Sequence, residues 1–192
     1  MPDRRATTPV ERTARIALTG TPGTGKSAVA AALPGRYGVT EVSDLALRFG
    51  SGRRVRGGVE VDLARLARRM RAVPDPDLPT VLVGHLAHLL PIEDAIVLRC
   101  QPVELARRLK RAKRGTETDR RANVEAEATD VVLVEALSLG RRVWEVDTTG
   151  RSVAAVARAV SGIVRTRRHP GAGEIDWLSD PQVTDYLLRR GR

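Results

Sequence analysis

Residues 15–27 read RIALTGTPGTGKS, and this stretch decides the fold. Arg15 to Thr19 is a short apolar run of the kind that forms a buried strand, and an Ala-rich stretch from Lys26 to Leu33 has helical character up to Pro34 and Gly35. Between them Gly20 to Ser27, GTPGTGKS, matches GxxxxGK(S/T) at every required position. Strand, glycine turn and helix in that order open an α/β unit. Glycines at 20, 23 and 25 let successive backbone N–H groups turn inward as an anion nest, and the following helix adds the positive end of its dipole. Lys26 then reaches β- and γ-phosphates, and the Ser27 hydroxyl stands where a Mg²⁺ ligand belongs. The sequence reading is therefore a P-loop NTPase fold of the α/β class that binds ATP with Mg²⁺.

Outward from this loop, strands and helices alternate. Thr40–Ser43 reads as an extended piece leading into a short helix through Arg48, Phe49–Gly58 as flexible by composition, and Val59–Arg71 as a helix. Val73–Pro79 (VPDPDLP) reads as a linker. Thr80–Val83 and Ala95–Cys100 read as continuous apolar strands, followed by a basic helix at Pro102–Arg114, a long helix at Asn123–Leu139, a strand at Val143–Val146 and a helix at Val153–Val164. This alternation predicts a mostly parallel five-stranded sheet with helices on both faces. The expected organisation is a flexible extension over 1–14, one domain over 15–165 and a tail over 166–192. The tail holds a short amphipathic candidate at Val183–Leu188.

The 192 residues carry 33 Lys+Arg against 23 Asp+Glu, a net charge of +10, and 42% hydrophobic residues, enough to build a core. The charge is concentrated. Arg48–Arg71 holds eight arginines against Glu60 and Asp62, and Arg107–Arg121 holds eight basic residues against Glu117 and Asp119, so each segment nets +6. The second, a basic helix, a break at Gly115 and another helix, has the form of a lid over phosphates, or of a solvated helix face. A single cysteine, Cys100, with His85, His88 and His169 supplies neither a disulfide nor a structural zinc site, which suits a cytoplasmic protein. No apolar run approaches a bilayer span. Five scattered aromatics argue against recognition of single strands by base stacking. A GTPase is disfavoured because no NKxD-type segment is present. Glu125 and Glu127, two apart on a helix, point to different faces and do not form a hydrolase pair.

The motifs GTPGTGKS, VSDLA (42–46), VD (61–62), VLVGHLAHLLP (81–91), LRCQPVELARRL (98–109), NVEAEATDVVLVEA (123–136) and EVDTT (145–149) together resemble the adenylate kinase isoenzyme 6 family, in an archaeal form. The resemblance spans about residues 15–164. It implies a nucleoside monophosphate kinase with ATPase activity, an acceptor region over about 38–60 and a lid over about 111–122. It also implies a role in small ribosomal subunit maturation with a uS11-type small-subunit ribosomal protein and rRNA. An alternative is an assembly ATPase that works as a binding switch, its kinase activity incidental.

Carried over by position, Gly23, Thr24, Gly25, Lys26, Ser27 and Ala28 hold the nucleotide, and Arg114 is the lid arginine, with Arg111 its rival. Lys26, His85 and Arg114 are the catalytic candidates, and Ser27 is the metal ligand. The family's Asp-x-His after the third strand falls here on Val83-Gly84-His85, so no acidic residue takes the place of the magnesium ligand. Asp44 is a substitute through water, or only a helix cap. His85 is a functional group or a polar residue closing a strand, while His88 and Cys100 read as structural.

Overall fold

A computed structural model describes residues 14–189 apart from 75, 114 and 169. Five parallel strands form the central sheet: β1 (Arg15–Thr19), β2 (Gly38–Glu41), β5 (Thr80–Val83), β6 (Asp94–Arg99) and β7 (Arg142–Asp147). Their order is β2-β5-β1-β6-β7, so β1 lies at the centre and the loop that leaves it emerges in mid-sheet. The register places Leu18 opposite Val83 on one side and Ile96 on the other. Continuous apolar strands require cover on both faces, and they receive it. On one face Ile16, Leu18, Val81, Ile96 and Leu98 meet α1 (Lys26–Ala31) and α7 (Val153–Thr166) through Val29, Val156 and Val160. On the other, Ala17, Leu82, Ala95 and Val97 meet Leu45 of α2 (Val42–Arg48), Leu66 and Met70 of α3 (Leu63–Arg71), and Leu133 and Ala136 of α6 (Val131–Ser138). Each of the large side chains so removed from water contributes about 1.5–3 kcal/mol.

The expected α/β sheet is thus present, with three local corrections. The segment expected to be flexible, Phe49–Gly58, is largely an antiparallel hairpin of β3 (Gly52–Val55) and β4 (Gly58–Val61), turning at Gly57 with φ 95°. The following helix consequently starts at Leu63 rather than Val59, where the Asp62 side chain accepts the Arg65 N–H as its cap. The long helix expected over Asn123–Leu139 is two helices, α5 (Glu117–Ala128) and α6, broken where Asp130 takes the left-handed conformation (φ 58°). The Asp130 carboxylate is held by Arg99, a contact no local pattern announces.

The basic helix α4 (Pro102–Arg111) starts under a Gln101 cap with proline in its first turn. Five residues separate it from α5, whose first turn is closed by a reciprocal Thr116–Asp119 capping box. Beyond α7 the chain returns to the domain. A 3₁₀ turn (Trp177–Ser179) and α8 (Pro181–Arg189) lie beside α4, with Tyr186 and Leu187 packed on Cys100, Leu105, Leu109 and Val124. At the other end Ala14 is buried and its carbonyl accepts the Thr80 N–H.

Candidate active site

The loop 20–25 leaves the C-terminal end of β1, where open parallel sheets bind ligands. Gly20 has φ 133°, and a Cβ there would come within 2.3 Å of the Leu98 carbonyl oxygen on β6, so glycine alone allows the loop to start against the neighbouring strand. Gly25, at φ 97°, precedes α1 without any side-chain cap, and a Cβ on it would meet nothing within 4 Å. The first-turn amides of α1 therefore have no capping side chain, and the space in front of them suits an anion. Lys26 lies folded over the loop, its ammonium donating to the carbonyls of Gly20 (2.7 Å) and Thr21 (3.0 Å). Thr24 faces inward and its hydroxyl donates to the Thr21 carbonyl at 2.9 Å, so this side chain braces the loop from within.

Gly23, Gly25, Lys26, Ser27 and Ala28 line an open cleft of about 230 Å³ whose opposite wall is Arg108, Leu109 and Ala112 of α4 and the turn after it. Leu105 and Leu109 press on Gly23 from α4. Of the two lid arginines singled out from sequence, Arg111 is exposed at the end of α4 and Arg114 lies outside the described residues. The arginine in the cleft wall is Arg108, one turn earlier. Its guanidinium donates to Thr148 Oγ1 (3.1 Å), the Thr148 carbonyl (2.8 Å) and Glu104 (3.2 Å), which fixes it between α4 and the turn after β7. Helical spacing held the signal: with Leu105 and Leu109 inward, positions 108 and 112 flank them on one side.

At the end of β5, Gly84 is close to α2, and a Cβ there would lie 3.2 Å from Val42. The next residue, His85, is exposed, and its carbonyl accepts the Thr19 hydroxyl at 3.1 Å. Its pKa is lowered, by partial loss of water first and then by the charge of Lys26. A neutral imidazole beside the phosphate loop is the result. His88 is fully buried, its Nδ1 3.0 Å from Thr19 Oγ1 and its Nε2 3.0 Å from Glu135. Cys100, buried behind β6, has its thiol pKa pushed up to about 11, chiefly by that burial.

Among the described residues no cluster of three or more His, Cys, Asp or Glu side chains is placed to hold a metal. The chain offers the exposed Ser27 hydroxyl at the start of α1, while Asp44 is exposed in the first turn of α2. That donor set suits Mg²⁺, which keeps several waters and binds largely through phosphate oxygens, and does not suit a metal needing a full protein cage.

A sequence model of the AAA domain family matches residues 16–130. A protein of Archaeoglobus fulgidus is 44% identical over 171 residues, covering 86% of this chain and 92% of its own. One from Thermococcus onnurineus is 41% identical over 177 residues, 90% of this chain and 97% of its own. Both are named "Putative adenylate kinase". The chain belongs to this archaeal adenylate kinase-like family. A Halobacterium salinarum member, 38% identical over 180 residues, spans 90% of this chain and 99% of its own length. The fold of the family is that of P-loop kinases. Shikimate kinase from Acinetobacter baumannii superposes with a TM-score of 0.54 at 13% identity, over 82% of this chain and 96% of the other.

The adenylate kinase-like chain also has a contact to the phosphate loop that sequence reading did not foresee. Glu127 is buried, and its carboxylate accepts from Thr21 of the phosphate loop at 2.5 Å and from Arg99 at 2.9 Å. Its exposed neighbour Glu125 pairs with Arg121 at 2.7 Å, so the two glutamates do face apart. Among the described residues no helix is long and apolar enough to cross a membrane.

Proposed function

We propose that the protein transfers the γ-phosphoryl group of ATP to a nucleoside monophosphate, AMP or another, in the manner of an adenylate kinase, with ATP hydrolysis as a side activity. The observation that carries this reading is the open cleft formed by the glycine nest, Lys26 and Ser27 on one wall and Arg108 on the other. The names of the archaeal relatives support it. Transfer to a hydroxyl or phosphate acceptor is mainly a matter of placement and charge neutralisation, so no covalent intermediate on the protein is required. On nucleotide binding Lys26 exchanges the Gly20 and Thr21 carbonyls for β- and γ-phosphate oxygens, and the loop N–H groups hold the rest of the chain of phosphates. Ser27 would hold Mg²⁺, which would neutralise charge on those oxygens.

Arg108, with Arg111 at the end of α4 and Arg114 three residues further on in sequence, covers the phosphates and limits water. His85, neutral and next to Lys26, orients the acceptor or an attacking water. The acceptor lies toward residues 38–60, where the exposed Arg53, Arg54 and Arg56 of the hairpin attract its phosphate. A second reading rests on those same exposed arginines. In it the nucleotide cycle controls binding to a uS11-type small-subunit ribosomal protein and rRNA in the cytoplasm during small ribosomal subunit maturation.

A coupled assay of ADP formation separates the two. Kinase function requires ADP production that rises on addition of AMP or another monophosphate and is lost in Lys26→Ala, whose circular dichroism stays that of the parent. ADP formation indifferent to every monophosphate but altered by the ribosomal protein supports the switch, and unchanged turnover in Lys26→Ala overturns both.

A further inference from the structure

Glu127 is only 2% exposed, yet it sits 106 residues away in sequence from the loop residue it grips. Burial of a carboxylate is costly unless donors surround it, and here four do. Oε2 accepts the Thr21 hydroxyl at 2.5 Å. Oε1 accepts Arg99 Nε at 2.9 Å, the Cys100 N–H at 3.0 Å and Trp177 Nε1 at 3.3 Å. The donors come from the phosphate loop, the end of β6 and the C-terminal segment, and Glu127 itself is on α5. One carboxylate thus ties together four parts of the chain.

The Thr21 end of this contact is not an idle surface of the loop. The Thr21 carbonyl accepts from Lys26 Nζ at 3.0 Å, from the Thr24 hydroxyl at 2.9 Å and from the Thr24 N–H at 3.3 Å. Wherever Glu127 holds Thr21, the ammonium and the inner brace of the loop follow. The C-terminal end is equally fixed. The Arg99 guanidinium lies 5.9 Å from the centre of the Trp177 ring. Glu145 accepts the Gly173 N–H at 2.5 Å and the Glu174 N–H at 3.3 Å, and Gln101 donates to Asp180 at 3.0 Å.

We propose that Glu127 is a positioning residue for the phosphate loop and that Trp177 holds it there, so that the segment after α7 sets the loop's readiness for ATP. This rests on the reading that the loop binds ATP; it does not depend on which acceptor receives the phosphoryl group. Substitutions along such a chain of contacts change binding by about 2- to 30-fold.

The test uses the full chain and variants that keep shape. Trp177→Phe keeps the ring and deletes the N–H, Thr21→Val keeps the volume and deletes the hydroxyl, and Thr21→Ser restores it. Two quantities are read: amide hydrogen exchange over residues 21–26 without nucleotide, and the ATP dissociation constant by calorimetry with Mg²⁺. Trp177→Phe and Thr21→Val should each speed exchange in the loop and weaken ATP by about 2- to 30-fold. Thr21→Ser should behave as the parent, and the double variant should lose less than the two singles together. Parental exchange and affinity in Thr21→Val overturn the proposal, and an effect of Thr21→Val without one of Trp177→Phe overturns the role of the C-terminal segment. Strict additivity in the double variant does the same. If the parent binds ATP but phosphorylates no monophosphate, the proposed function fails and these outcomes still decide this inference. If the parent binds no ATP, exchange in the nucleotide-free protein decides it.

Discussion

The side chains around Thr19 show how a single buried histidine carries a pH signature. The Thr19 hydroxyl has His88 Nδ1 at 3.0 Å and the His85 carbonyl at 3.1 Å within reach. Burial lowers the His88 pKa below its ordinary 6.5, and the bond and charge of Glu135 oppose the shift without cancelling it. The unfolded chain therefore binds more protons than the folded one between the lowered pKa and about 6.5, and stability rises with pH across that window. The expected outcome is a melting temperature that falls as pH drops from 7 through 6.5 and levels off below the lowered pKa. The slope is at most about 1.4 kcal/mol per pH unit for this one proton. His88→Gln should flatten it, and a slope untouched by that change would assign the effect elsewhere. His85, also lowered, adds in the same direction, so His85→Gln serves as the comparison. At this scale His88 was legible as structural from its place on an apolar segment, while Glu127 was not. A glutamate between two alanines gives no local sign of partners at positions 21, 99 and 177.

Among the elements, local signals and long-range contacts divided the result. The capping residues Asp62, Thr116 and Ser152 begin their helices as sequence chemistry dictates, because a cap acts within its own turn. The β3–β4 hairpin carried such a signal too, with Val55, Val59 and Val61 around Gly57-Gly58, but its arginines and glycines made the segment read as flexible. The break between α5 and α6 carried none, since it depends on Arg99 capturing Asp130. The segment after α7 is an integral layer over α4, with Val183 fully buried and Tyr186 and Leu187 on the Leu105–Leu109 cluster. Deleting residues 175–192 uncovers that cluster. The cost is about 3 kcal/mol or more, at about 2–4 °C per kcal/mol for a chain of this size, so a fall in melting temperature of roughly 6–12 °C is expected by calorimetry. A melting temperature unchanged by the deletion would contradict the packing described.

For the whole molecule, charge decides what approaches. The two segments of net +6 each leave the remainder of the chain slightly acidic, so the +10 belongs to two regions and not to the surface at large. Exposed arginines screened over a Debye length of about 8–10 Å lose their pull at high salt, whereas loop N–H groups and Lys26 in the cleft do not. Raising salt from 50 to 500 mM should therefore raise the KM for the monophosphate several-fold more than the KM for ATP, as steady-state titrations would show. Equal changes would place the acceptor away from the cationic hairpin. What the amino-acid sequence determined by itself is the phosphate loop, the alternation that gives a parallel α/β sheet, and the family, because each is written in contiguous residues whose chemistry acts within a few positions. What only the tertiary structure decided is the strand order, the choice of Arg108 for the cleft wall, and the Glu127 knot that joins the loop, α5 and the C-terminal segment. Those depend on pairs brought together from 28 to 106 residues apart, where burial makes the partner obligatory but leaves its position in the chain open.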